Sequence, residues 1–409
     1  MKYNKVQVEK KGNDPAMPAP REKFSRILGF AGRSERIVLM RNRRRSLSLA
    51  IICVCLCLSQ FGDRVLAASN TPAYAQQAAV GVKALQRWYV PATGLYEQPT
   101  DWWNAANAMT VLADYSRTTH TTEYLSVVEN TFEKANAAYR TTNFLNDSYD
   151  DEGWWALAWI DTYDLTKDRK YLAMAQTIYT NIAAQWDSQC GGGVWWDQKH
   201  TYKNAITNEL FLTLAAALAN RSSSAAERQQ YLDFAQREWR WFKSSGMINA
   251  GHLVNDGLNS KNPSACVNNG ENTWTYNQGV ILGGLVELNK ADSNPALLSE
   301  ATAIADATIA HLVTPHLTTS NGVLIEKVVT GKDTPQFKGV FLRNLSALYR
   351  AAPKPAYRKF AEANAESIWS KDQGPNHSFG ASWQGPFDSA DATRQTAALD
   401  ALIAAAAMQ

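Results

Sequence analysis

A chain of 409 residues, 45% of them hydrophobic, has the material for one large core or two ordinary ones. Its net charge of +3 is unevenly placed: residues 1–67 carry 14 Lys or Arg against 5 Asp or Glu, which leaves −6 for everything after Ala67. The basic balance therefore belongs to the leader, and nothing in the body points to a nucleic-acid or anionic-membrane partner.

That leader has an order. Arg41, Arg43, Arg44 and Arg45 precede an apolar run over 47–58, and Val65, Leu66 and Ala67 give a small-residue exit before Ala68. The pattern predicts a secretory signal, its apolar run too short for an ordinary membrane span. Counted from Met40 the signal has normal length, so a true start at Met40 is expected, with 1–39 an upstream misreading. A short signal anchor that is never cleaved is the alternative. We therefore read 1–67 as extension plus signal and 68–409 as one domain, secreted, extracellular or periplasmic. The final residues, 404–409, form no apolar tail after a polar spacer, so no stable membrane anchor is expected.

From Thr71 onward apolar residues recur three and four apart, Ala is abundant, and Gly, Pro and Asn mark the breaks. The spacing predicts helices over 72–90, 101–117, 121–140, 150–166, 168–186, 202–219, 227–244, 274–291, 294–313, 334–351, 355–371 and 388–406. The strongest strand signal is 322–329, read as a short hairpin arm. Paired in order, the helices make six hairpins whose second members are richer in small residues, as crowded inner helices should be. Six hairpins closing on themselves predict an all-α, single-domain (α/α)6 barrel. An open superhelical array competes, but the hairpins share no consensus sequence.

The loops before the proposed inner helices carry the unusual residues: 94–103, 146–151, 190–196, 268–276 and 379–387. In an alternating toroid these loops emerge at one end, which predicts a binding cleft there. Asp150 and Asp151 are adjacent at the mouth of a helix that carries Trp154, Trp155 and Trp159. Ser148 and Asp151 also fit a capping box, so a plain helix cap remains open. Large rings beside paired carboxylates suit a sugar site, where rings cover apolar sugar faces and acids move protons or attack the anomeric carbon.

Neighbours on a helix cannot face the same way, so in the pairs Trp102–Trp103, Trp154–Trp155 and Trp195–Trp196 one ring is expected in the core and the other at the cleft. Asn204 and Asn208, four apart, share a helix face and predict polar lining. Trp274, Tyr276 and Asn277, and Lys338 and Arg343, have the same character, with structural hydrogen bonding the alternative for all of them. Only Cys190 and Cys266 lie beyond the leader; an oxidising compartment would join them, and two buried free thiols are the alternative. The scattered His and Cys give no metal-ligand spacing, so neither metal nor cofactor is expected. Sequons stand at Asn146, Asn220, Asn344 and Asn376, and modification at Asn146 is not expected, because it would crowd the rim.

Taken in order, Asp150-Asp-Glu-Gly-Trp-Trp-Ala-Leu-Ala-Trp159, Cys190-Gly-Gly-Gly-Val-Trp-Trp196, Tyr202-Lys-Asn-Ala-Ile-Thr-Asn-Glu-Leu-Phe211, Thr275-Tyr-Asn-Gln-Gly279, Lys338-Gly-Val-Phe-Leu-Arg343 and Gln384-Gly-Pro-Phe387 resemble blocks of glycoside hydrolase family 76, the endo-α-1,6-mannanases. The resemblance covers roughly 72–407. It implies an (α/α)6 fold, hydrolysis of α-1,6-linked mannan with retention, Asp150 as nucleophile and Asp151 as general acid/base. The remaining expected contacts to an α-1,6-mannan or its oligosaccharides are Trp102, Trp103, Trp154, Trp196, Asn204, Asn208, Trp274, Tyr276, Asn277, Lys338 and Arg343. A monomer is expected. A wall transglycosylase is the nearest rival, then a glycan-binding protein without turnover. A magnesium-dependent cyclase is opposed by secretion and by the lack of a third carboxylate at metal spacing.

Overall fold

The computed structural model describes residues 73–259, 262, 265–311, 322–326 and 331–409. The leader, its signal and the Met40 start all lie outside the described residues. Among those residues there are twelve α-helices: α1 Ala73–Leu85, α2 Trp102–Thr119, α3 Leu125–Tyr139, α4 Tyr149–Thr166, α5 Arg169–Ala183, α6 Ala205–Arg221, α7 Ala225–Ser244, α8 Thr275–Asp292, α9 Pro295–His311, α10 Thr334–Ala351, α11 Pro355–Lys371 and α12 Ala392–Ala407.

Side-chain pattern sorts them into two rings. In α6 every residue from Ala205 to Ala219 is buried, the signature of a helix with neighbours on all sides. In α5 burial is confined to Tyr171, Leu172, Ala175, Ile178, Tyr179 and Ile182, one stripe at helical spacing. Each even-numbered helix packs on the next, and α12 packs back on α2, so the inner ring closes. That closure separates the toroid from an open array. Inner helices approach closely because their residues are small: a Cβ on Gly339 would lie 2.6 Å from the Ala397 Cα. The helix starts are set locally. Asp101 and Asn104 make a capping box on α2, Asn204 and Asp391 cap α6 and α12, and Pro335 sits in the first turn of α10.

Connections are short at one end and long at the other. Segments 167–168, 222–224, 293–294 and 352–354 join an inner helix to the following outer one, while 184–204, 245–274 and 372–391 return to the ring. Accordingly α5, α7 and α9 pack mainly on the inner helix that precedes them, and α1 on α12. The α4–α5, α6–α7 and α8–α9 hairpins therefore run inner to outer, while α11 packs mainly on the following inner helix α12, as the pairing expected from sequence has it.

One local expectation is corrected. The predicted helix 72–90 stops at Leu85, because Pro91 and the turn at Gly94 convert its end into a hairpin of β1 (Tyr89–Val90) and β2 (Leu95–Tyr96). The arm expected over 322–329 lies only partly within the described residues, where Leu324 takes part in a β-bridge and its N–H donates to Asn364 Oδ1 at 2.9 Å. Residues 327–329 lie outside the described set. No helix of the described residues is long and apolar enough to cross a membrane.

Beneath α4 lies an aromatic cluster. Trp155 and Trp159 stack at 5.5 Å, Phe144 meets both at 4.9 Å, and Trp102 lies 4.6 Å from Trp155. Each fully buried large ring contributes on the order of 2 kcal/mol by transfer alone. The N-terminal turn of α4 thus stands on a rigid base.

Candidate active site

The entrance to α4 is held from outside the helix. The Tyr149 N–H donates to the Trp196 carbonyl at 2.8 Å, and the Gln198 N–H to the Asp147 carbonyl at 3.1 Å. Ser148 precedes the helix but makes no side-chain cap, so the capping-box alternative is not realised. Asn146 takes over: its Oδ1 accepts from the Ser148 N–H (2.9 Å), its own N–H donates to Glu152 Oε1 (3.2 Å), and its Nδ2 donates to Asp151 Oδ2 (2.7 Å). Both polar atoms of the Asn146 amide are thereby engaged at the helix entrance.

Asp150 and Asp151 face different surroundings. The Asp150 Oδ2 accepts from Trp196 Nε1 at 3.0 Å, and the residue lines a cavity of about 320 Å³, within the size range of small-ligand sites. Burial raises the Asp150 carboxyl to about 6, while the Trp196 N–H and backbone N–H groups of the first helical turn pull it down. Asp151 lies on the other side, beside a second hollow with Asn146 and Tyr139. Burial first, and then the charge of Asp150, push its carboxyl well above the usual carboxylate range, against the Asn146 amide. Two neighbouring acids are thereby set apart, with Asp150 the easier to ionise.

The cavity wall is aromatic. Tyr276 stacks on Phe337 at 3.9 Å, Trp103 lies 5.5 Å from Trp154, and Trp196 is 38% exposed. Its polar points are Asn204, Tyr202 and two further carboxylates. The Tyr202 hydroxyl donates to Asp256 Oδ2 at 2.8 Å, and Trp103 Nε1 donates to Asp333 Oδ1 at 2.9 Å. Behind this wall Glu209 is fully buried, and burial raises its carboxyl well above the ordinary range.

Of the residues expected from sequence, the structure brings together Asp150, Trp103, Trp154, Trp196, Asn204 and Tyr276 at this cavity. Trp274 stands just behind it, 5.6 Å from Phe337. Five expectations are corrected. Trp102 is 1% exposed, stacked between Tyr139 and the core. Asn208 spends its amide on Val194 and on the Asn204 carbonyl, clamping the 190–196 loop. Asn277 is fully buried below the rim. Lys338 donates to the Ala381 carbonyl at 2.7 Å over the Trp383 ring, and burial lowers its ammonium to about 7. Arg343 lies at the opposite end of the barrel, where it pairs with Asp400 at 3.2 Å and donates to Asn107 Oδ1.

The sequence reading missed Tyr202, Asp256, Asp333 and Phe337. Asp333 directly precedes an inner helix, so the rule that found the other rim loops would have found it. Asp256 is brought in by the Asn204–Gly257 bridge, a pairing with no local signal.

The 190–196 loop that carries Trp196 is organised around Lys203. Its buried Nζ donates to Asp187 Oδ1 and to the carbonyls of Gln189, Gly192 and Gly193, all between 2.7 and 3.1 Å. The Cys190 and Cys266 sulfurs, 2.12 Å apart, tie this loop to the one preceding α8. Among the described residues no group of three or more His, Cys, Asp or Glu is placed to hold a metal ion.

The family model for glycosyl hydrolase family 76 matches residues 73–409. A mannan endo-1,6-alpha-mannosidase, DFG5 of Candida albicans, is 25% identical over 305 residues, covering 68% of this chain and 65% of that one. DCW1 of Saccharomyces cerevisiae, of the same description, is 26% identical over 48% of this chain and 46% of its own. The chain thus spans less than two thirds of the length of these relatives. Among solved structures, the GH76A α-1,6-mannanase of Salegentibacter superposes with a TM-score of 0.71 at 23% identity, covering 82% of this chain and all of that one. Dfg5 of Chaetomium thermophilum gives 0.70 at 20% identity, covering 82% and 90%. An inactive variant of the Salegentibacter enzyme, in which two adjacent aspartates are replaced by asparagine, is in complex with α-1,6-mannotriose.

Proposed function

Since this chain belongs to glycosyl hydrolase family 76, we propose that it is a secreted endo-acting glycosidase that cleaves internal α-1,6-mannosidic bonds with retention of configuration. The observation that carries the reading is the separation of Asp150 from Asp151: adjacent carboxyls in one helical turn, one opening on an aromatic cavity, with unequal hold on their protons. Asp150, the easier to ionise, suits the nucleophile, and Asp151, which burial and the charge of Asp150 make hold its proton more tightly, suits the acid of a double displacement.

In the first step Asp150 attacks the anomeric carbon of a mannosyl unit held against the ring wall, and its C–O bond to the leaving sugar breaks. Asp151 gives its proton to the departing oxygen. In the second step Asp151 takes a proton from water, the water oxygen attacks the same carbon, and the mannosyl ester to Asp150 breaks. Two inversions restore the starting configuration.

Incubation of the purified protein with debranched α-1,6-mannan, followed by oligosaccharide chromatography and proton NMR of the first product, tests the reading. Short oligosaccharides that appear first as the α-anomer are expected. Asp150→Asn and Asp151→Asn should each lower turnover by several orders of magnitude. First release of the β-anomer overturns the retaining step, and absence of cleavage overturns the activity. For secretion, a mature N-terminus near Ala68 is the expected mass-spectrometric result, and an intact leader on exported protein is the opposing one.

A further inference from the structure

We propose that the hollow on the Tyr139 side of Asp151 binds a neutral hexose: the mannosyl unit that leaves when the bond is cut, or a sugar that arrives to accept the mannosyl group. The proposal rests on the mannanase reading above and adds to it the place of the second sugar. Three observations carry it. Asp151 lines this hollow of about 590 Å³ and does not line the cavity that Asp150 faces, so the two acids look onto separate spaces. A proton donor serving a glycosidic oxygen needs the leaving sugar on its own side.

Tyr139 supplies a platform. Its ring lies 4.3 Å from Trp102 at an interplanar angle of 13°, and the residue is 38% exposed. One face is thus fixed on the core through Trp102 while ring surface remains open to solvent. Tyr139 ends α3, where Arg140 turns the chain with φ +60°, so the ring is presented at the last turn of a helix and not on a loose loop. A rigid ring with one free face is what the apolar side of a pyranose stacks on.

The polar lining has the matching chemistry. Asn181 and the exposed Gln198 spend their amide nitrogens on Glu152 and Asn146 and turn amide oxygens suited to sugar hydroxyls to this hollow, while the Asn146 amide is engaged by Asp151 and Ser148. Gln198 is anchored by its Nε2, which donates to the Asn146 carbonyl at 3.0 Å, and so sits beside the residue that binds Asp151. Arg140 is balanced by Asp147 in the same lining, so there is no positive surplus to hold a phosphate or an acidic peptide, and an uncharged sugar is the fitting class.

The test compares a leaving group that needs this hollow with one that does not. Wild type, Tyr139→Ala, Tyr139→Phe and Gln198→Ala are assayed on α-1,6-mannohexaose and on α-1,6-mannobiosyl fluoride, whose fluoride occupies no sugar site. Tyr139→Ala should lose about tenfold in kcat/KM on the hexaose, the scale of one lost stacking contact. It should stay within twofold of wild type on the fluoride. Tyr139→Phe keeps the ring and should behave as wild type, and Gln198→Ala should show a smaller loss confined to the hexaose. Transfer to added mannose should fall with the hexaose activity. Equal losses on both substrates, or no loss on either, overturn the proposal; Gln198→Ala supplies the same comparison should Tyr139→Ala fold poorly. A wild type inert on both substrates overturns the mannanase reading itself, and this proposal with it.

Discussion

Replacing Trp196 by Phe removes one hydrogen-bond donor from Asp150 while keeping a flat ring at the cavity wall. The lost contact is the 3.0 Å bond from Nε1 to Asp150 Oδ2, which favours the ionised carboxylate. A hydrogen bond to a charged group is worth about 1.5–3 kcal/mol. Because Trp196 is 38% exposed, solvent screening argues for the low end, roughly 1.4 kcal/mol or one pH unit. The direction is fixed by chemistry: the bond holds Asp150 down, so its loss moves the carboxyl upward from about 6. On the proposed mechanism Asp150 is the nucleophile and must be ionised, so the acid limb of kcat/KM should move to higher pH by about one unit. Measured on α-1,6-mannohexaose from pH 4 to 9, the variant should lose about tenfold at pH 5 and rejoin wild type above pH 8. A loss of equal size at every pH would assign Trp196 to sugar stacking alone and refute this reasoning.

Three further outcomes follow from the scaffold. Lys203→Met leaves Asp187 and three carbonyls without their buried ammonium, which should cost about 3 kcal/mol in urea denaturation; an unchanged midpoint would show that the loop holds itself. Gly193→Ala places a Cβ 2.3 Å from the Trp241 ring at φ +83°, so a fall of more than about 2 kcal/mol is expected by thermal melting. At the barrel base, burial raises Asp400 to about 7 and Asp161 to about 6, against the pull of Arg343 and Arg117. Both carboxyls hold protons more tightly folded than unfolded, so their contribution is full below about pH 4 and is lost as pH rises through 6 to 7. Asp400→Asn should therefore lose less stability than wild type between pH 5 and 8, by up to about 2 kcal/mol; parallel curves would exclude the assignment.

The fold was legible because its signals are local. Small-residue runs such as those of α6 and α12 need neighbours on every side, and the punctuation by Asp101, Asn204, Pro335 and Asp391 fixes where helices begin. The site was legible only in part. In the helical pairs Trp102–Trp103 and Trp154–Trp155 the alternation of one ring inward and one toward the cavity follows from helix geometry, but which ring goes where depends on the packing of Phe144, Tyr139 and Phe337 from other elements. Lys338 and Arg343 look alike in sequence as cations near a helix start. One is consumed by the Ala381 carbonyl and the other by Asp400, partners 43 and 57 residues away. Asn208 and Asn204, four apart on one helix, likewise divide between clamping a loop and lining the cavity. Asp256 arrives through the Asn204–Gly257 bridge, which no window of sequence could announce.

Closure by α12 has a consequence for synthesis. This helix packs on α2, α10, α11 and α1, so it is the piece that turns an arc into a ring. A ribosome emits it after the other five inner helices, which means that a nascent chain exposes the inward flanks of α2 and α10 until translation has passed Ala407. The closed ring should accordingly emerge late and in one step, and an arrested chain cut before Ala392 should engage holdase chaperones.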